Sequence, residues 1–142
     1  MQPLLGEEAS EPVKRNIEIR WSLPEHVPRI AELLELNGMP RRKAFEDRFI
    51  VAEKEGHVPA ALRYRTEPKR LLLGLLLVDP WAGERALAVA LYIGAGELAR
   101  EMGAREVRAR TERRADHPSE AGYRRRIGGW RLDVARAAAG HG

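Results

Sequence analysis

Between Leu71 and Val78 the chain reads LLLGLLLV, with no polar side chain and a single glycine. An apolar run this short reads as a strand buried on both faces of a sheet. Asp79 and Pro80 stop it. The period then changes. Leu87, Leu91, Ala95, Leu98 and Met102 recur at helical spacing, and Gly103 stands where a left-handed C-terminal cap belongs. The unit is therefore strand, turn, long helix. A helix that opens just past the end of a central strand gathers free N–H donors and the positive end of the helix dipole, a setting suited to a phosphate.

The flanking segments supply the rest of a mixed sheet. Met1 to Arg15 has no period and reads as a flexible tail, residues 16–134 as one domain, and Ala135 to Gly142 as a second, frayed tail. Ile17, Ile19 and Trp21 alternate with Glu18 and Arg20, a half-buried strand. Ser22 and Glu25 have capping-box spacing, and Val27, Ile30, Ala31 and Leu34 line one face of the helix that follows, ended by Asn37-Gly38. Pro40 to Arg48 reads as a short second helix with Ala44 and Phe45 inward. Phe49–Lys54 and Val58–Thr66 read as a hairpin closed by Glu55-Gly56-His57, with Pro59 marking an irregular or edge position. After the long helix, Glu106 to Thr111 alternates, with Val107, Ala109 and Thr111 opposite Glu106, Arg108 and Arg110. Ser119 to Ile127 reads as a short helix capped by Ser119, and Trp130 to Val134 as a last strand after Gly128-Gly129. The expected fold is α/β in the α+β sense, a mixed, mostly antiparallel sheet of about six strands with helices on both faces.

Composition narrows the chemistry. The 142 residues carry no cysteine, which removes disulfides, thiolate zinc sites and a cysteine nucleophile. No apolar stretch approaches the ~20 residues of a membrane span, and the acidic start is unlike a signal peptide, so a cytoplasmic protein is expected. No His/Asp/Glu spacing suggests a metal. The net charge of +4 suits either an anionic cosubstrate or an ordinary solvated surface, and no recognition helix or aromatic-rich basic strand supports nucleic acid as partner.

In this order, the segments from Asn16 to Val134 resemble the GNAT superfamily of acyl-CoA-dependent N-acyltransferases. Phe49 to Gly56 is similar to that family's second strand and turn, Ala60 to Tyr64 to its third strand, Leu75 to Pro80 to the end of its fourth, and Ala99 to Ala104 to the end of its third helix. The separation from Pro80 to Gly103 is one the family commonly shows. The resemblance implies acetyl-CoA (or another acyl-CoA) as cosubstrate, no metal, and transfer of the acetyl group to an amine of a small-molecule or peptide acceptor, commonly by a homodimer. It also implies that the pantetheine arm lies along Leu76, Leu77 and Val78, while the pyrophosphate rests on the loop Gly83, Glu84, Arg85, Ala86, Leu87 and Ala88.

Two motifs depart from the family. Its phosphate loop reads Arg/Gln-x-x-Gly-x-Gly/Ala. Here Gly83 takes the first place and Ala86 that of the central glycine. The tyrosine that serves the family as general acid for the departing thiol has its counterpart in Tyr123, one residue out of register with Gly128. The candidates for proton transfer are Tyr123 and His117, with Asp79, His57 and Trp81 read more simply as a turn residue, an exposed hairpin residue and a cofactor or partner contact. The alternative function is a GNAT-like CoA-binding or regulatory module with impaired catalysis.

Overall fold

In the computed structural model described here, residues 16–111 and 115–134 are placed; both expected tails and residues 112–114 lie outside the described residues. The strands are β1 (Ile17–Trp21), β2 (Arg48–Lys54), β3 (His57–Glu67), β4 (Arg70–Val78), β5 (Glu106–Ala109), β6 (Arg124–Arg126) and β7 (Gly129–Asp133). The helices are α1 (Val27–Leu36), α2 (Lys43–Glu46), α3 (Glu84–Glu101) and α4 (His117–Glu120). One seven-stranded sheet runs in the order β1-β2-β3-β4-β5-β7-β6. Every pairing is antiparallel except β4 with β5, the pair that α3 connects.

Period-two alternation sends the side chains of each strand to two separate cores. Ile50, Ala52, Ala60, Leu62, Leu71, Leu73, Val107 and Ala109 pack under α3. Phe49, Val51, Val58, Ala61 and Leu77 pack under α1, against Ile30, Ala31, Leu33 and Leu34. The long helix sits very close to the sheet at two glycines. A Cβ on Gly94 would run into the side chain of Ile19, and one on Gly96 would stand 2.7 Å from Leu132 Cδ2. Close packing explains both glycines, since nothing larger fits without displacing a neighbour.

Several expectations change. The seventh strand is β6, where a helix over Ser119–Ile127 was expected. The helix stops after Glu120 because Gly122 takes φ +92°, and the three arginines then pair with β7 in a hairpin. Ser22 does not cap the first helix. A 3₁₀ turn over Pro24–His26 intervenes, and the His26 ring accepts the Leu23 N–H at 2.9 Å. Phe45 points outward, 77% exposed, because α2 is a single turn that can bury only one position, Ala44. Met102 follows the last turn of α3 and is exposed as well. Pro59 does mark an irregularity, since the β2–β3 register slips between Ala52 and Lys54, as a residue without an N–H requires inside a sheet. Finally, β4 is not buried throughout. Leu71, Leu73, Leu77 and Val78 are, while Leu72, Leu75 and Leu76 are half-buried; Leu75 lies at the margin of the core under α1 and Leu76 at the margin of the core under α3.

Candidate active site

The site begins where the one parallel pair of strands separates. β4 and β5 are in register from Arg70 opposite Glu106 to Leu73 opposite Ala109. The Arg110 N–H donates to the Leu73 carbonyl at 3.1 Å, and beyond this point β4 continues without a strand on that side. Its register with β3 slips at the same place. Leu62 faces Leu76 and Tyr64 faces Leu73, so Gly74 and Leu75 together oppose Arg63. Such a bulge turns the strand locally and frees backbone groups. The Asp79 N–H donates to Pro59 on β3 at 2.9 Å. By alternation, Leu77 also turns its backbone to β3, while Leu76 and Val78 turn theirs to the open edge. There the Val78 carbonyl accepts from Asn37 Nδ2 at 3.2 Å.

Past the strand, the Asp79 carboxylate accepts the Trp81 N–H at 2.9 Å and pairs with Arg29 at 2.8 Å. These hydrogen bonds, the backbone one first, hold its carboxyl below the usual range. Asp79 is thus consumed in forming the turn. Trp81 itself projects outward, 88% exposed.

Gly83 is the N-cap of α3 and brings no side-chain acceptor to the amides of the first turn. Those donors have no partner within the helix. The space around Gly83 is open, so a group could approach them. Glu84, Arg85 and Ala86 are exposed, whereas Leu87 and Ala88 turn into the core under α3. The two charged residues are engaged by α4. Glu84 Oε2 lies 3.2 Å from His117 Nε2, and Arg85 pairs with Asp116 at 3.4 Å and with Glu120. Among the described residues, three carboxylates and one guanidinium therefore surround this helix end.

His117 is largely buried, and its Nδ1 has no hydrogen-bond partner among the described residues. Tyr123 is buried beside Tyr92, and its hydroxyl donates to the Tyr92 carbonyl at 2.8 Å. Burial raises the pKa of both phenols, that of Tyr92 to about 12. His57 is exposed at the start of β3. The structure brings His117 against Glu84 at the helix end, and it directs Tyr123 into the α3 core.

On the other face of the sheet, under the end of α2, lies a cleft of about 1220 Å³. Its floor is Leu72, Leu73 and Gly74 of β4, at the point where the strands separate, and the β6–β7 hairpin forms one wall. Among the described residues seven arginines line it, with Glu46 and Asp47 as the acids. Sequence reasoning did not single out this group. The signal was present in the alternation, because Arg63 and Arg65, like Arg108 and Arg110, stand two apart and so share a face. Arg126 faces the cleft, while Arg125 lies over the Trp130 ring at 5.0 Å.

No family model matches the sequence, and no curated protein is significantly similar to it. Solved structures are. A GNAT-family acetyltransferase from Brucella melitensis in complex with acetyl-CoA aligns with a TM-score of 0.63 at 17% identity, over 82% of this chain and 87% of that one. The GNAT-family N-acetyltransferase YhbS from Escherichia coli in complex with CoA gives 0.62 at 18% identity, over 87% and 84%. A GNAT-family protein from Desulfovibrio desulfuricans gives 0.61 at 19% identity, over 83% and 99%. The chain has the fold of the GNAT acetyltransferases, as its sequence pattern implied.

Proposed function

We propose that the protein transfers an acyl group, acetyl by default, from acyl-CoA to an amine. The observation that carries this reading is the parting of β4 from β5 after Leu73, which opens one backbone edge of Gly74–Val78 and leads it directly to the uncapped N-terminus of α3. An extended amide-containing arm finds an added-strand partner on such an edge. A pyrophosphate finds unpartnered N–H groups at such a helix end. The backbone groups of Leu76 and the Val78 N–H would hold the arm, and the free amides from Glu84 to Ala86 would hold the phosphates, with the open space at Gly83 allowing close approach.

A bound acyl-CoA supplies a thioester already activated for attack by an amine. What remains for the protein is to orient the two partners, polarise the carbonyl with backbone N–H groups near the bulge, and accept the amine's proton. Leaving as thiolate is feasible without an acid, since a thiol's pKa is only about 8.5. That suits a site in which the Tyr123 hydroxyl is committed to the Tyr92 carbonyl. The reading carries with it a cytoplasmic homodimer, the latter checked by sedimentation.

The carboxylates of Glu84, Asp116 and Glu120 around the helix end favour a second reading, a CoA-binding or regulatory module with impaired catalysis. Calorimetric titration with acetyl-CoA, followed by an assay of free thiol over a panel of amines, separates the two. Binding with amine-dependent thiol release supports the transferase. Binding without release supports the module. No heat or thermal stabilisation at millimolar acetyl-CoA removes both.

A further inference from the structure

The cleft beneath α2 has a charge pattern that the acyltransferase fold does not itself require. Three of its arginines are tied to carboxylates: Arg63 lies 3.6 Å from Asp47, Arg108 lies 2.8 Å from Glu106, and Arg131 lies 3.2 Å from Glu106 and 2.9 Å from Asp133. The other four, Arg48, Arg65, Arg110 and Arg126, have no carboxylate within 4.0 Å among the described residues. They reach the cleft from β2, β3, the end of β5 and β6, so the fold collects them from four separate stretches of sequence. Like charges gathered in a concave wall repel one another and focus a positive potential into the space between them. A counter-anion relieves both effects, and guanidinium forks match carboxylate and phosphate oxygens in pairs.

The cleft also meets the line of the open strand. Its floor ends at Gly74, the first residue of the bulge, and the Arg63 guanidinium lies directly across that glycine: a Cβ there would stand 3.0 Å from Arg63 Nη2. A fixed positive charge therefore sits where the acceptor cleft joins the open edge of β4. At about 1220 Å³ the space exceeds the roughly 300–1,000 Å³ of an ordinary small-ligand pocket, leaving room for an acceptor beside an acyl group. Nucleic acid is disfavoured by the aromatic rings. Tyr64 packs at a tilt against Trp21, ring centroids 4.8 Å apart, and Trp130 is buried beneath Arg125, so neither ring is presented for base stacking.

We infer that this cleft binds an amine of net negative charge, carrying at least two oxyanions (carboxylate or phosphate), and that this is the acceptor class of the transferase, a statement that rests on the function proposed above. The amine would lie toward Gly74 and the anionic groups among Arg48, Arg65 and Arg126.

The experiment uses the full chain and matched amines: glutamate against glutamine, aspartate against asparagine, O-phosphoserine against serine, with lysine and spermidine as cationic controls. Acetyl-CoA-dependent thiol release and product mass are read in one arm, and calorimetric binding of each amine without acetyl-CoA in the other, at low and high salt. The expected result is a preference of at least tenfold in kcat/KM for the charged member of each pair, weakened by salt. The carboxylate and phosphate pairs report separately which oxyanion is favoured. R65Q and R126Q, exposed positions, should each reduce that preference about tenfold with an unchanged melting temperature, while R100Q on the far side of α3 leaves it intact. Salt-sensitive, Arg126-dependent binding of the charged amines without acyl transfer would keep the cleft assignment and overturn the transferase reading. Acyl transfer that favours glutamine, lysine or spermidine would overturn the inference and leave the transferase standing. Tighter binding of an oligonucleotide than of any anionic amine would also overturn it.

Discussion

Gly94 and Gly96 occupy the interior of a helix, where each lowers intrinsic stability by about 1 kcal/mol relative to alanine. The sheet explains them. At Gly94 the obstacle is the Cβ region of Ile19, which cannot swing away, whereas at Gly96 it is the terminal methyl of Leu132. Gly94→Ala should therefore lose about 1–3 kcal/mol net, the range for overpacking, and Gly96→Ala distinctly less. Urea denaturation of both variants checks this, and a larger loss at Gly96 would contradict it. Tyr123 makes a similar point for the chemistry. With its hydroxyl buried and donating to the Tyr92 carbonyl, Tyr123→Phe should lose about 1 kcal/mol of stability, while kcat stays within about threefold. A general acid would instead cost about 100-fold or more. Steady-state rates at pH 7 and 9 distinguish the two.

Among the elements, α3 and β4 carry the proposed site. The position of Ala86, exposed in the first turn of α3, means that its methyl stands among the amides assigned to the pyrophosphate. Ala86→Gly should tighten CoA binding about two- to fivefold in calorimetry, by allowing closer approach to the backbone. Unchanged or weaker binding would show that the phosphates do not rest there. The strand–turn–helix unit was readable because its signals are local: an apolar run, Asp-Pro, a helical period and a glycine cap. The β6 hairpin was not. Arg124 to Arg126 has no alternation of apolar and polar residues, and becomes a strand only because β7 supplies partners for its backbone. The first helix cap was misassigned for a related reason. Ser22 is drawn into a hydrogen bond from its N–H to the Phe49 carbonyl, a contact across the sheet that no local pattern announces.

Over the whole molecule, two buried-edge networks tie α1 to the sheet and set the response to acid. Glu53 is hydrogen-bonded by His26 at 2.8 Å and Arg20 at 3.0 Å, and Asp79 by the Trp81 amide and Arg29. Both carboxyls are held below their usual values of 4.5 and 3.8. A lowered folded-state pKa means that the unfolded chain binds the proton first. The stability these groups contribute is complete above their usual pKa and is lost as pH falls through the lower folded values. Melting temperature should accordingly hold from pH 7 to about 5 and decline below about 4.5. Glu53→Gln and Asp79→Asn should each start lower and decline less steeply on acidification. An equally steep decline in both variants would assign the acid response elsewhere.

The sequence alone determined the architecture, because periodicity, turn residues and caps act over a few neighbours and leave their mark on the local pattern. It also determined where a phosphate-bearing arm would be sought, since the strand and the helix start are adjacent in the chain. Only the tertiary structure decided the character of the site. The separation of β4 from β5 depends on a bulge and on pairing between strands more than thirty residues apart. The carboxylates of α4 reach the start of α3 across a similar distance in sequence and temper its charge. The arginines of the cleft come from five strands and the end of one of them, which meet only once the sheet has formed. Electrostatic character depends on distance in space, and distance in space between remote residues is what the folded chain alone supplies.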